Sequence, residues 1–321
     1  MTISAGSQAL ASDVLTEHNA DGTHKAAALT SAGLINSIPL GLCEGRLTLT
    51  SGTPITTAAV TGATNVYFAP YKGNRIALYD GSSVWSVLTF TELTLALGTL
   101  TSGRPYDVFA YNNSGVVALE SLAWTSGTAR ATALTTQNGV LVKSGATTRR
   151  YLGTFYTTST TQTEDSASRR LLFNYYNRVR RPVSCVDTTA SWNYSTDAWR
   201  AANANTTDGV GRVAAVVGWA EDVAEFIATA ILVTNTTLAL ISGAGVGIDS
   251  QTVNSAQIFG GGAISSVDLL AQARYEGYLA VGYHYIQRLE SDTGSGSGAT
   301  TWHGAGASAE VQTGMVGSVW A

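Results

Sequence analysis

The sequence predicts an all-β protein, and three observations support this prediction. Apolar residues make up 45% of the 321-residue chain, which is enough to bury a sizeable core. Charged residues make up only 12%, so Thr, Ser, Asn and Gly must cover most of the surface. β-Branched residues alternate with polar ones between turns that contain Gly and Asn, a pattern typical of strands. The length favours two cores over one.

Residues 1–36 are small and polar, without a long apolar period. They predict an extended arm that becomes ordered only where it docks on a partner. A zinc or iron site would need three or four ligands held by a rigid supporting shell, which so polar a segment does not provide. We therefore expect no metal in the HNADGTHKAA stretch (18–27). The favoured alternative is an anchoring turn formed by His18, Asn19, Asp21, Gly22, Thr23 and His24.

Residues 37–182 alternate apolar and polar side chains with a period of two. Dipeptides that tolerate positive φ interrupt the alternation, as β-hairpin turns require. These turns fall at Asp80-Gly81, Asn112–Gly115 and Asn138-Gly139, within stretches 74–90, 106–124 and 130–145. Two more strands are expected around a polar turn at 162–168. The repeated hairpins predict an antiparallel meander that closes as a β-barrel or sandwich domain.

After RVRRPVSCVD (178–187), short apolar runs alternate with Gly, Asn and Thr turns. This pattern places a boundary after residue 182 and predicts a jelly-roll-like β-sandwich knob over 183–321. One or two helical turns are an alternative at 221–230. The apolar stretch 223–242 is interrupted by polar residues, which indicates buried core and no membrane insertion. The N-terminal residues have no basic or apolar region of a signal peptide, so synthesis in the cytoplasm is expected.

The net charge of −4 conceals an asymmetry between the halves. Residues 1–182 contain 14 basic and 10 acidic side chains, whereas residues 183–321 contain 4 and 12. Neither half has the basic footprint of a nucleic-acid-binding protein. Seven arginines fall within 149–181. They predict either a polyanion site or, as the favoured alternative, a rim that pairs with carboxylates of the second half or of a neighbouring subunit.

The motifs that carry enzyme chemistry occur only in fragments. Residues 209–214 match a dinucleotide fingerprint but follow a polar loop, and residues 292–295 match half of an aspartic-protease site. Glu221, Asp222 and Glu225 could supply a carboxylate pair for glycoside hydrolysis, although solvated charges are the simpler interpretation. We expect no catalytic residue and no cofactor. Cys43 and Cys185 are too far apart in sequence to define a disulfide framework or a zinc site, and we interpret them as small apolar residues.

Aromatic clusters in the second half allow two interpretations. Tyr283 and Tyr285 share one face of a predicted strand, with His284 on the other. Core or interface packing is favoured, and a stacking platform for sugars is the alternative. The candidate glycan-facing residues are Trp192, Tyr194, Trp199, Tyr283 and Tyr285.

Several stretches resemble tailed-bacteriophage virion fibre proteins. SDVLTEHNADGTHKAA is similar to a short arm, H-x-A-D-G-T-H-K, near the N-terminus of many phage tail and fibre proteins. The stretches YKGNRIALYDG, RRYLGTF and NYYNRVRRP resemble a β domain that recurs in phage structural proteins. GVGIDS and GYHYIQRLE resemble the knob ends of such fibres. The resemblance covers most of the chain and does not distinguish a tail fibre from a head fibre.

The resemblance implies a homotrimer in the virion, with the arm docked on other virion proteins and the C-terminal knob facing outward. It implies contact with host-surface polysaccharide and no shared catalytic residues. A capsid decoration or tail adaptor protein without a receptor role, and a glycan-depolymerising fibre, remain alternatives. A non-phage adhesin or lectin would normally require a secretion signal.

Overall fold

The computed structural model describes residues 40–234, 241–262, 267–293, 300–308 and 310–321. Within them the chain is almost all β, which confirms the predicted fold class. The one helical element of this part is a short 3-10 turn, Ala202–Ala204. The predicted arm, with its anchoring residues 18–24, lies outside the described residues.

Fourteen strands precede the predicted boundary. They are β1 (Gly45–Thr48), β2 (Val60–Ala63), β3 (Asn65–Pro70), β4 (Arg75–Tyr79), β5 (Trp85–Thr89), β6 (Leu93–Ala96), β7 (Pro105–Asn113), β8 (Val116–Ala123), β9 (Leu134–Gln137), β10 (Val140–Lys143), β11 (Ala146–Tyr156), β12 (Thr163–Asp165), β13 (Arg169–Arg170) and β14 (Leu172–Asn174). A three-stranded sheet (β1-β3-β6), the β4-β5 hairpin and a six-stranded sheet (β8-β7-β11-β10-β9, with β14 beside β11) enclose the first core.

The hairpins predicted from the turn signals are confirmed. β4 pairs with β5, β7 with β8, and β9 with β10, all antiparallel. Asn138 and Gly139 both have positive φ, at 51° and 83°, as a two-residue turn requires. The first turn is longer than a dipeptide because the Asp80 carboxylate accepts hydrogen bonds from the backbone N–H groups of Ser82, Ser83 and Val84.

Eleven strands form the rest of the fold. They are β15 (Arg180–Val186), β16 (Ser191–Asn193), β17 (Arg200–Ala201), β18 (Arg212–Val217), β19 (Val223–Thr234), β20 (Ser242–Ile248), β21 (Ile258–Gly260), β22 (Leu269–Tyr278), β23 (Gly282–Asp292), β24 (Thr300–His303) and β25 (Gly314–Trp320). We call β15-β25-β19-β22-β21, with β16 and β24, the C-terminal sheet. We call β17-β23-β18-β13-β12-β2, with β20, the shared sheet.

The second core lies between these two seven-stranded sheets. Val213 and Ile286 of the shared sheet pack in one cluster with Phe226, Trp302 and Met315 of the C-terminal sheet. Two sheets that enclose one apolar layer form a β-sandwich. The predicted sandwich of the second half is therefore present.

The shared sheet contains strands from both sides of the predicted boundary. β12 and β13 precede residue 182, and β13 pairs in parallel with β18. β15 runs through residue 182 and pairs along its whole length with β25. The boundary thus lies inside a strand, and the division into 1–36, 37–182 and 183–321 stays a prediction.

One local expectation is wrong, and another has the wrong bounds. The helical alternative at 221–230 is a strand, because every second residue of β19 from Ala224 to Leu232 faces the core. The polar turn expected at 162–168 is confined to 166–168, because β12 occupies the first half of that segment and pairs with β2 and β13 in the shared sheet. No helix within the described residues is long and apolar enough to cross a membrane.

Cys43 and Cys185 are buried free thiols, as predicted. Burial raises the pKa of each thiol to about 11. Both therefore stay protonated at neutral pH and pack as small apolar groups.

Candidate functional site

Three of the five candidate glycan-facing aromatics lie in one region. Tyr194 has the Arg200 guanidinium 3.8 Å from its ring centroid. Trp199 lies over Gly243 and Gly245 of β20, and a Cβ at Gly245 would stand 2.7 Å from the indole. Glycine at these positions permits the close approach of the indole, because it has no Cβ.

A buried carboxylate fixes the base of this region. Glu290 on β23 is fully buried and accepts hydrogen bonds from Trp192 Nε1 at 2.7 Å and from Arg200 Nε at 2.8 Å. Burial raises the pKa of Glu290, and the bonds from Trp192 and Arg200 oppose that rise. Because Trp192, Tyr194 and Trp199 each contact an intrachain partner, packing is a sufficient role for them. Sugar stacking at these residues stays a prediction.

Tyr283 and Tyr285 lie elsewhere on the shared sheet, and His284 points to the opposite face as predicted. The Tyr283 ring stacks on Tyr156 of β11 at a centroid distance of 4.2 Å. Burial raises the pKa of Tyr283 to about 12. The structure therefore divides the five aromatics between two places instead of forming one platform.

Three of the seven arginines of 149–181 pair with carboxylates of the second half, as the favoured interpretation expects, and the other four do not. Arg169 pairs with Asp208 at 2.7 Å, and Arg180 pairs with Glu225 at 2.9 Å. Arg178 donates to both Glu221 and Asp222. Others pair within the first half: Arg149 with Glu120, and Arg170 and Arg181 with Asp165. The fully buried Arg150 donates to the backbone carbonyls of Leu40, Gly41 and Ala77.

These pairings also occupy the carboxylates considered for glycoside hydrolysis. Glu221 and Asp222 share Arg178, and Glu225 lies between Arg180 and Arg274. A general acid needs a raised pKa and a place in a cleft, whereas bidentate arginine contacts favour the ionised form. Burial raises the pKa of Asp222, and the Arg178 guanidinium, which donates to this carboxylate, opposes that rise. No group of three or more His, Cys, Asp or Glu side chains that could hold a metal ion occurs among the described residues.

The described residues include an exposed apolar surface that the sequence did not predict. This surface is the solvent-facing side of the C-terminal sheet, which we call the outer face. Of the twelve exposed large apolar side chains of the described residues, six lie on it. They are Val223, Ile258, Leu270, Tyr278, Val316 and Trp320. Several large apolar side chains that share one exposed face are a feature of interaction sites.

Charged side chains cross the outer face between the apolar ones. Arg274 Nη2 lies 3.0 Å from Glu225 and 2.8 Å from Glu276, and Arg180 Nη2 lies 2.9 Å from the other oxygen of Glu225. Two arginines and two glutamates therefore form one chain of ion pairs with no net charge. The outer face combines apolar area with balanced charge, as protein interfaces do.

A groove of about 410 Å³ opens at one edge of the outer face. Tyr278 and Ile258 are its most exposed apolar walls, at 65% and 72%. Its polar walls already pair within the chain, since Gln257 exchanges two hydrogen bonds of 3.0 Å with the backbone of Glu276. The groove can hold a flat apolar or aromatic group and has few unpaired donors for a sugar.

One signal in the sequence could have revealed the outer face. Residues 223–234 are apolar at most positions on both faces of the strand, which is expected of a strand covered on two sides. The core accounts for only one of those sides. No protein-family model matches this chain, and no curated protein matches its sequence.

Proposed function

We propose that this chain is a structural component of a tailed-bacteriophage virion. In this proposal it is a homotrimeric fibre, anchored to the particle through its N-terminal arm, whose C-terminal part contacts host-surface polysaccharide. The basis is the resemblance of the arm, the YDG and RRYLG stretches and the knob stretches to such fibres. A capsid decoration or tail adaptor role is the runner-up, and it differs by having no receptor.

The outer face is the observation that carries the assembly part of this proposal. A lone soluble chain would expose Ile258, Tyr278 and Val316 to water at a free-energy cost of about 25 cal/mol for each Å² of apolar area that a partner could cover. Packing between copies removes that cost. The low charge content also favours packing between copies, because few charged groups must lose their bound water when two surfaces meet.

The ion pairs at Glu221, Asp222 and Glu225 favour a fibre without glycan hydrolysis over a depolymerase. Incubation of the purified chain with host polysaccharide separates these alternatives. We expect the polymer to keep its length, measured by size-exclusion chromatography, and a shortened polymer would favour the depolymerase.

The experiment that tests the fibre is the mass of the purified chain by light scattering on a sizing column. We expect a mass near three chains of 33.4 kDa, and a stable monomer would contradict the homotrimer. Peptide mass spectrometry of purified phage particles that encode the chain tests the virion role separately. Absence of its peptides from the particles would contradict that role, whatever the oligomeric state.

A further inference from the structure

Four oxygen-bearing side chains meet inside one end of the C-terminal sandwich. Thr234 and Thr300 lie opposite each other on β19 and β24 of the C-terminal sheet. Ser242 and Asp292 lie opposite each other on β20 and β23 of the shared sheet. All four residues are 0% exposed. The hydroxyl oxygens of Ser242 and Thr300 lie 3.2 Å apart, so the two pairs are in contact across the sandwich. We call these four side chains the oxygen cluster.

The alternation of the strands points the oxygen cluster into the sandwich. Every second residue of β19 from Ala224 to Leu232 belongs to the apolar core, so Thr234 points inward as well. Ile286 of the same core lies an even number of residues before Asp292 on β23, which puts both on one face. The oxygen cluster therefore closes one end of the apolar layer and is not part of the surface.

Two atoms of the oxygen cluster have no hydrogen-bond partner. They are Asp292 Oδ1 and Thr234 Oγ1. The other carboxylate oxygen of Asp292 accepts a bond of 3.1 Å from the Ser242 hydroxyl, which is uncharged. Removal of a carboxylate from water is costly, so buried carboxylates are normally paired with a cationic side chain or bound to a metal ion.

No cationic side chain of the described residues balances the charge of Asp292. Each arginine of the second half pairs with another carboxylate: Arg200 with Glu290, Arg212 with Asp208, Arg274 with Glu225 and Glu276, and Arg288 with Asp187. The histidines at 284 and 303 lie beside Asp249 and Asp268. The stretches 235–240 and 294–299, which adjoin the cluster in sequence, contain no Lys, Arg or His.

We propose that the oxygen cluster binds a hard monovalent metal cation such as Na⁺ between the two sheets. Hard cations prefer oxygen ligands, and the cluster supplies one carboxylate and three hydroxyls. Asp292 Oδ1 and Thr234 Oγ1 contribute lone pairs that no group of the chain uses. A single positive charge balances the single carboxylate, whereas a divalent ion would leave an uncompensated charge in the core.

The cation joins the ends of four strands. Thr234 ends β19, Ser242 begins β20, Asp292 ends β23 and Thr300 begins β24. Because folding alone brings these side chains together, the ion binds the folded chain and not the unfolded one. Such an ion stabilises the fold more as its concentration rises. This inference does not depend on the homotrimer or on a role in the virion.

Thermal unfolding in sodium chloride and in tetramethylammonium chloride, at one ionic strength, tests the site. Tetramethylammonium has the same charge but is too large for a buried cluster of this kind. We expect the unfolding midpoint, followed by circular dichroism, to be about 2 °C or more higher in sodium chloride and to rise with sodium concentration. Equal midpoints in the two salts would show that water alone fills the site and would overturn the proposal. A larger rise in calcium chloride than in sodium chloride would overturn the monovalent assignment.

Two variants connect the sodium effect to the oxygen cluster. Asp292→Asn removes the charge and is expected to abolish the sodium effect. The matched control is Asp107→Asn, at a buried carboxylate that Arg130 already balances, and it is expected to lower the midpoint but keep the sodium effect.

Thr234→Val provides the test if Asp292→Asn does not fold. It removes a buried hydroxyl that has no partner within the chain, so it should raise the midpoint in tetramethylammonium chloride and reduce the gain in sodium chloride. A sodium effect in Asp292→Asn or Thr234→Val as large as in the unchanged chain would place the ion elsewhere and overturn the proposal.

Discussion

The imidazole of His284 is held by the carboxylate of Asp249, with Nδ1 and Oδ2 2.7 Å apart. Its other nitrogen, Nε2, lies 2.7 Å from the carbonyl oxygen of Ala280. Both partners are acceptors, so only the doubly protonated ring satisfies both bonds. Burial of the ring lowers the pKa of His284, but the bonds to Asp249 and Ala280 and the Asp249 charge outweigh it, and the pKa lies above 6.5.

This arrangement predicts a stability that falls with rising pH. A histidine with a raised folded pKa stabilises the fold in full below its ordinary pKa, and the contribution is lost as the pH rises through the folded value. Urea unfolding between pH 6 and 9 should show this loss, and an NMR titration should place the His284 pKa above 6.5. His284→Gln should remove this part of the pH dependence. A pH profile identical in the variant and the unchanged chain would contradict the prediction.

Trp199 and Gly245 provide a test of the close packing around the predicted glycan-facing aromatics. A Cβ at Gly245 would meet the Trp199 indole at 2.7 Å and the Asn254 side chain at 3.0 Å. Gly245→Ala should therefore destabilise the fold by about 1–3 kcal/mol, as overpacking does. Trp199→Ala in the same chain should recover part of that loss, because the main obstacle is gone. Additive losses in urea unfolding would show that the indole is not the obstacle.

The hairpins could be predicted from the sequence because their signals are local. Asn138-Gly139 fixes a turn, and alternating side chains fix the strands on each side. The strands of the C-terminal sandwich could be predicted for the same reason, since their alternation is local. Strand pairing between distant segments could not be predicted, since β2 joins β12 and β13 joins β18 only through contacts far apart in sequence. Residue 182 lies within a strand because β15 pairs with β25, which is equally distant along the chain.

The candidate site was less accessible to sequence reasoning. Tyr and Trp residues were selected as candidates because aromatic rings can stack on sugars, yet Tyr194 and Trp199 contact partners within the chain. The outer face consists of ordinary residues such as Val316 and Ile258, whose exposure depends on which side of a strand the core covers. Side-chain type does not show which face of β19 the second sheet will cover. That choice becomes visible only in the assembled sandwich.

Truncation of the buried Asp107 side chain, which pairs with Arg130 in the first half, should lower the free energy of unfolding by a large amount. Asp107 is 1% exposed and accepts two bonds from Arg130, at 2.7 and 3.2 Å, and one from the Thr154 hydroxyl at 2.7 Å. Asp107→Ala leaves the guanidinium without its carboxylate and should cost about 3–5 kcal/mol. Asp107→Asn should cost less, because its amide oxygen can still accept a hydrogen bond. Urea unfolding followed by tryptophan fluorescence measures both, and a loss below about 1 kcal/mol for the alanine variant would contradict the assigned role.

The contacts of Arg178 join the two predicted halves and should contribute to the stability of the fold. Its guanidinium donates to Glu221 and Asp222, which belong to the second half, and lies 5.6 and 5.7 Å from the ring centroids of Phe173 and Tyr175 in the first. The Arg178 side chain is only 16% exposed although Glu221 is 42% exposed, so salt screens these bonds less than it screens a fully exposed pair. Arg178→Ala should lower the free energy of unfolding by about 1.5–3 kcal/mol, the range for hydrogen bonds to charged groups.

Arg75→Ala is the matched control for Arg178→Ala, since Arg75 is exposed and its pair with Glu44 lies within the first half. Calorimetry in low and high salt distinguishes the two variants. We expect a smaller loss for Arg75→Ala, and one that high salt removes, whereas the Arg178→Ala loss should persist. If Arg178→Ala also splits one melting transition into two, the pairs it makes are what joins the halves into one cooperative unit. An unchanged melting curve for Arg178→Ala would instead leave the shared sheet, through the β13–β18 pairing, as the main connection between the halves.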